Sequence, residues 1–314
     1  MTRILITGAA GGIGQSLLTE MALHPRGHVV LATDVRQLSW LPVGATWKFL
    51  DVRGDDADKV IGDWKPEVVV HLASIVTPPK GSTRAFEYSV DVGGTRHVLD
   101  ACIAHGVHRI VVTSSGAAYG YHADNPVPLT EADPLRGNEE FAYSHHKRLV
   151  EEMLEQARRE APQLEQVVLR IGTVLGAGIE NQITALFRRK RLLGIRGSDS
   201  PFVFIWTKDL ARILLRAATK GPPGIYNVAG DGALGTRELA AALGKPVLWL
   251  SPSFLKLALG IARPLGLSRY GPEQVRFLQY RPVLDNTKLK TEFGYVPEMT
   301  SARVFDLWRE GAGL

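Results

Sequence analysis

The stretch Arg3-Ile4-Leu5-Ile6-Thr7-Gly8-Ala9-Ala10-Gly11-Gly12-Ile13-Gly14 decides the fold of this 314-residue chain. It opens with a short apolar run that reads as a buried strand. Glycines then fall at positions 8, 11 and 14. That spacing asks for a tight turn, for backbone N–H groups that approach something closely, and for a following helix packed hard on the sheet. Ile13, Leu17, Leu18 and Met21 supply the apolar side of that helix. Its N-terminus faces the ligand and favours a pyrophosphate. Gly8, Gly11, Gly12, Ile13 and Gly14 are therefore candidate dinucleotide-binding positions. A glycine triplet alone is weak; a strand before it, a helix after it and an acid at the right distance make it strong.

That acid is Asp34, twenty residues past Gly14, at the end of a second apolar run His28-Val29-Val30-Leu31-Ala32-Thr33. A carboxylate there accepts hydrogen bonds from the adenosine ribose and repels a 2′-phosphate, which favours NAD over NADP. Arg36 is the one neighbour able to greet such a phosphate. Further on, Trp47–Leu50, Glu67–Leu72, Arg109–Ser115 and Val167–Arg170 read as strands, with a helix through Val90, Val92, Val98 and Leu99 among them. Unbroken apolar strands alternating with helices argue a doubly wound parallel α/β sheet, the Rossmann type, covered on both faces. Past Arg159 glycines, prolines and short elements become more frequent. The expected division is a dinucleotide-binding domain over 1–175 and a smaller substrate-binding region over 176–314, with about 201–230 returning to the core.

Composition bounds the rest. The chain is 45% hydrophobic and 22% charged, with a formal net charge of +5. Its bases are dispersed apart from Arg188-Arg189-Lys190-Arg191, read as the solvated face of a helix-like segment, so no nucleic-acid partner is expected. The single cysteine, Cys102, excludes an internal disulfide and fits a reducing cytoplasm. There is no signal-peptide pattern and no apolar run long enough to span a bilayer, so no membrane partner is expected. The nearest approach, Phe254–Leu267, is broken by Lys256, Arg263 and Pro264 and reads as an amphipathic cap or core helix. No metal site is expected.

Chemistry concentrates in Glu139-Glu140-Phe141-Ala142-Tyr143-Ser144-His145-His146-Lys147, the opening of a helix that continues through Leu149, Val150, Met153 and Leu154. Residues four apart share a helix face, which stacks Tyr143 on Lys147. An ammonium ion beside a phenol lowers its pKa toward working pH, as an acid/base tyrosine requires. His145 and His146 point off that face and read as surface residues.

These motifs together resemble the extended short-chain dehydrogenase/reductase family, the group of NAD-dependent epimerases, dehydratases and hydroxysteroid-type dehydrogenases. The resemblance rests on Thr7–Gly14, Asp34, Asp51-Val52, His71-Leu72-Ala73, Thr113–Gly120, Tyr143-x-x-x-Lys147 and, more weakly, Asp209-Leu210-Ala211 and Asp285–Leu289. It implies that Ser115, Tyr143 and Lys147 are catalytic, that Lys147 also binds the nicotinamide ribose, and that Asp51, Val52, Leu72, Ala73, Ser74 and Thr113 lie along NAD. It also implies a homodimer, with the Tyr143 helix and the one near Asp91 packing on their mates. Asp91 stands where the family usually has an asparagine, which puts the usual proton relay in question. Gly116 and Ala117 replace the Asp-Glu pair of the 4,6-dehydratases. Phe202 replaces an arginine that sugar-nucleotide members place seven residues before the aspartate that here is Asp209.

The reading that follows is an NAD-dependent oxidoreductase acting on an alcohol/ketone pair of a small-molecule substrate. Its rivals are a nucleotide-sugar epimerase with tightly held NAD and a non-catalytic nicotinamide sensor. Asp34 predicts that measured affinity favours NAD over NADP by at least about tenfold, or ~1.4 kcal/mol. Equal affinities in a titration would show that Arg36 has taken over.

Overall fold

Alternation of side chains along the strands builds two cores, one on each face of a single sheet. In β1 (Thr2–Thr7), Ile4 and Ile6 enter one cluster while Leu5 enters the other. In β4 (Val68–His71), Val68 and Val70 divide from Val69 in the same way. This is the two-residue period of a strand buried on both sides. The computed structural model describes every residue except Arg26, Lys80, Gly178, Glu180, Arg269 and Tyr270.

The remaining strands are β2 (His28–Asp34), β3 (Ala45–Phe49), β5 (Arg109–Ser115), β6 (Glu165–Ile171), β7 (Thr173–Leu175), β8 (Leu192–Ile195), β9 (Phe204–Trp206), β10 (Gly224–Val228) and β11 (Val247–Leu250). Seven of them form one sheet in the order β10-β6-β5-β4-β1-β2-β3, every pair parallel. The chain leaves β1 toward β2 and β3, then returns to place β4 on the other side. That reversal opens a crevice beyond the carboxyl ends of β1 and β4, where such sheets bind ligands. Helices Gly12–Leu23 and Thr207–Thr219 cover one face; Asp56–Trp64, Gly94–Ala104 and Ala142–Glu160 cover the other. Val150, Met153 and Leu154 are buried against the sheet, so the apolar side of the Tyr143 helix is spent within the chain. Cys102 is buried in the same cluster.

The later elements make a smaller body. Two parallel pairs, β7 with β9 and β8 with β11, sit over a cluster of Phe187, Phe202, Phe204, Phe305 and Trp308. Phe202 and Phe204 stack at 5.7 Å, so the aromatic strand ahead of Asp209 is core packing. One sequence expectation needs correction here. Arg188–Arg191 follow the helix Gln182–Phe187 in a turn, because the capping box at Asn181 starts a helix that ends before them. Of the two readings left open for Phe254–Leu267, the amphipathic one holds: in the helix Pro252–Ala262 Leu255 and Leu259 turn inward, while Phe254, Leu257 and Ile261 face solvent.

One buried ion pair ties the two faces of the site together. Arg170 on β6 grips Glu151 on the Ala142–Glu160 helix through Nε and Nη2, at 2.9 and 2.8 Å from Oε2. Glu151 also accepts from Ser114 Oγ, and Arg170 Nη1 donates to the Tyr119 hydroxyl at 2.8 Å. Glu151→Gln leaves the guanidinium buried without its counter-charge. The expected cost is about 3–5 kcal/mol in urea denaturation, with much of it restored in the apolar pair Glu151→Leu/Arg170→Met.

Candidate active site

The glycine turn is built by absence of side chains. Gly8 has φ +69, and a Cβ there would stand 2.6 Å from Ala73 N, so the end of β1 crosses directly over the end of β4. At Gly14 a Cβ would stand 2.6 Å from Ala9 O, which lets the Gly12–Leu23 helix start against the turn. That helix brings unpaired N–H groups to the crevice. Asp34 is buried at the end of β2 and accepts from Ala10 N and Arg36 N, each at 2.9 Å. The exposed Arg36 side chain folds back on it, with Nε at 3.4 Å. These residues fit a dinucleotide: a cradle that no Cβ could enter, a helix N-terminus, and a carboxylate at the ribose end. Ile13 opens the helix with Gly12, whose missing Cβ leaves room for Ile179.

Farther along the crevice, Asp51 is clamped by Arg53, whose guanidinium holds its carboxyl below the usual range. Val52 packs on Gly94, where a Cβ would meet Val52 Cγ2 at 2.5 Å. Leu72 N donates to Thr7 O at 3.2 Å, holding the β4 end to β1. Beneath them runs a row of polar groups. Thr95 Oγ1 donates to Asp91 O at 2.6 Å, so it accepts from His71 Nε2 at 3.0 Å. His71 Nδ1 then accepts from Thr7 Oγ1 at 2.8 Å, and Ala73 N approaches that same hydroxyl at 3.5 Å. The donors assign a neutral imidazole. Burial agrees, pulling the His71 pKa down to about 3, with Lys147 adding to the effect.

Ser115, Tyr143 and Lys147 come together at the carboxyl end of β5. Ser115 Oγ accepts from Ala117 N at 3.1 Å and donates to Ile171 O at 3.4 Å. Lys147 Nζ donates to Thr113 O at 2.8 Å and stands 5.6 Å from the centre of the Tyr143 ring. The charge effect expected of Lys147 is overturned in this state: burial dominates and pushes Tyr143 up to about 12, with the Asp91 carboxylate adding to the rise. The buried Lys147 has its own pKa lowered by desolvation, against which Asp91 and Glu151 pull.

His146 is corrected as well. It is buried, with Nδ1 at 2.9 Å from Asp91 Oδ2 and its ring edge-on to Tyr88 at 5.6 Å. Asp91 lies in a π-turn, Ser89–Gly93, that interrupts the expected helix, and its other oxygen accepts from Ser74 Oγ and Ile75 N at 2.9 and 2.8 Å. The carboxylate thus keeps a side-chain role, anchoring the loop after β4. Neither partner was legible in the sequence, since 55 residues separate them. Tyr121, Phe141 and Phe277 were also missed; they form an aromatic wall with ring centres 5.1 and 5.3 Å apart. Arg281 covers Phe202 at 3.8 Å and Phe277 at 5.2 Å, donating to Ser200 O. Tyr121 also lines a cavity of about 300 Å³ with His122, Lys256, Arg276 and Tyr280.

The family described as NAD dependent epimerase/dehydratase matches residues 4–229. The chain belongs to that family. Among relatives, a 2-alkyl-3-oxoalkanoate reductase of Stenotrophomonas maltophilia is 28% identical over 95% of this chain and 96% of its own length. An uncharacterized protein of Mycobacterium tuberculosis is 26% identical over 99% of this chain and 84% of its own. Family members also supply similar folds. The UDP-glucose 4-epimerase of Thermus thermophilus, solved with NAD, superposes with a TM-score of 0.74 at 23% identity, covering 98% of both chains. The Bordetella bronchiseptica enzyme WbmG, solved with NAD and UDP, gives 0.72 at 22% identity over 99% of this chain and 96% of its own. As a family member the chain is NAD-dependent, which its glycine cradle and Asp34 accommodate.

His71 makes stability depend on acid. Its folded pKa lies below the unfolded 6.5, so the unfolded chain takes up the proton first, and stability falls as pH drops from 6.5 toward about 3. In denaturation across that window, His71→Gln is expected to show a shallower slope than the wild type. Parallel slopes would mean that His71 is protonated in the fold.

Proposed function

We propose that this family member is an NAD-dependent oxidoreductase interconverting a secondary alcohol and a ketone through Ser115, Tyr143 and Lys147. The observation that carries this reading is Lys147, donating to Thr113 O at 2.8 Å two residues before Ser115 and standing 5.6 Å from the centre of the Tyr143 ring, with only Gly116 and Ala117 following the serine. Those two cannot titrate, so nothing there removes and returns a proton for a dehydration. Ser115 holds the substrate oxygen. Tyr143, protonated at neutral pH as any phenol is, stands ready to donate to that oxygen as it gains charge. Lys147, fixed by Thr113 O, keeps a positive charge behind the ring and a donor toward the ribose side. When bound, the nicotinamide supplies or accepts the hydride.

The wall of Tyr121, Phe141 and Phe277 supports a ketone flanked by hydrocarbon. The full-length likeness to a 3-oxoalkanoate reductase points the same way. One feature favours a second reading, a nucleotide-sugar epimerase. Arg281 has no carboxylate partner among the described residues, and an arginine stays charged even where burial lowers its pKa. A substrate phosphate would satisfy it.

Cofactor oxidation on adding lipophilic ketones, against epimer formation from a UDP-sugar without net redox, separates the two. In the active assay Tyr143→Phe keeps the ring and loses the proton, so turnover is expected to drop about 10²–10⁴-fold while NAD affinity survives. Full activity in this variant would show that another group donates the proton.

A further inference from the structure

The helix Pro252–Ala262 carries apolar side chains on opposite sides. Leu255 and Leu259 turn inward onto Val275, Leu278 and Ile195. Phe254, Leu257 and Ile261 point outward, and with Leu265 and Leu267 just beyond they are between 55% and 79% exposed. At 3.6 residues per turn the three helical ones fall within an arc of about 60°, a continuous stripe. Large side chains scattered singly on a surface need no explanation, but five grouped within fourteen residues of sequence do.

Charge identifies what the stripe meets. Residues 245–284 contain six bases (Lys245, Lys256, Arg263, Arg269, Arg276 and Arg281) and one acid, Glu273. That window surplus equals the formal net charge of +5 of the whole chain. Lys245, however, donates to Phe187 O, and Arg281 to Ser200 O within the aromatic wall. The described bases beside the stripe are therefore Lys256, Arg263 and Arg276. Lys256, on the helix, is exposed and has no partner among the described residues. Arg263 and Arg276 pair with Glu273 and Glu140 but keep 58% and 51% of their side chains in water. A second copy docked symmetrically through this face would bring Lys256 and the half-exposed Arg263 and Arg276 of both copies together, which disfavours it. An anionic bilayer surface offers apolar depth for the stripe and negative headgroups for the bases.

We propose that the Pro252–Ala262 helix and the Leu265–Leu267 turn dock this enzyme on an anionic membrane surface, lying in the headgroup layer without crossing it. Among the described residues no helix is long and apolar enough to cross a membrane, and the docking asks for none. The expectation of no membrane partner rested on spanning segments and does not bear on a surface helix. The same face opens toward the chemistry: Lys256 and Arg276 line the cavity that Tyr121 shares, and Tyr121 stands in the aromatic wall against Phe141, two residues before Tyr143. A lipophilic substrate therefore has a short path from the bilayer to the aromatic wall.

The test is co-sedimentation of the full chain with phosphatidylcholine vesicles containing about 30% phosphatidylglycerol, beside pure phosphatidylcholine. Binding to the anionic vesicles is expected, weakened about fivefold by Lys256→Gln, as removal of one base near the surface should do. Phe254→Ser/Leu257→Ser/Ile261→Ser is expected to weaken it more than tenfold while NAD affinity stays unchanged. In the wild type, amide exchange over 252–267 should slow when anionic vesicles are added, a measurement that needs no variant to fold. Absence of vesicle binding overturns the proposal. So does equal binding to both vesicle types, unchanged exchange over 252–267, or a dimer that the triple variant dissociates while vesicles bind neither protein.

Discussion

The Glu151–Arg170 pair is the constraint on which the rest of the site depends. It joins β6 to the helix that carries Tyr143 and Lys147, and through Ser114 it reaches the strand that ends in Ser115. Two charges withdrawn from water do not by themselves stabilise a fold. What they supply is position, because a bidentate guanidinium tolerates little rotation of its carboxylate. The Tyr119 hydroxyl and Glu131 O complete the guanidinium's partners, and Asn227 takes part through Tyr119. The 3₁₀ turn after Ser115, the last strand of the sheet and the Tyr143 helix are therefore held in one arrangement.

Much of the fold was legible because local patterns and the global arrangement agree. Apolar strands, the glycine turn and Asp34 each demand the same parallel sheet with a crevice at β1. Legibility failed where a decision rests on packing between distant segments. The pattern through Val90, Val92, Val98 and Leu99 is helical, and nothing local announces the π-turn at Ser89–Gly93 that aims Asp91 inward. Phe254–Leu267 has the apolar content of a core helix. Which of its faces finds a neighbour is decided by Val275 and Leu278, outside its own sequence.

Within the candidate site the same division holds. Tyr143 and Lys147 share a face because helix geometry requires it, and the sequence therefore placed them side by side. Their electrostatics are another matter: desolvation depends on everything packed around the phenol, and it outweighs the ammonium ion in this state. His146 shows the limit most clearly. Helical spacing put it off the face that Tyr143 and Lys147 share, but that direction leads to buried Asp91 instead of water. An off-axis position on a helix indicates the bearing of a side chain and says nothing about what waits there.

The row of Ala73, Thr7, His71, Thr95 and Asp91 has a direction. Each hydrogen in it is committed to the next acceptor, from the β4 end toward the carbonyl at the π-turn. Flipping the His71 tautomer would require both threonine hydroxyls to turn at once and would leave Asp91 O without its donor. The floor of the cofactor crevice is thus a frozen electric polarisation spanning two strands and a helix. The row begins at a backbone amide and ends at a backbone carbonyl, neither of which gives up or keeps a proton at neutral pH, so it orders the crevice floor without offering a proton path.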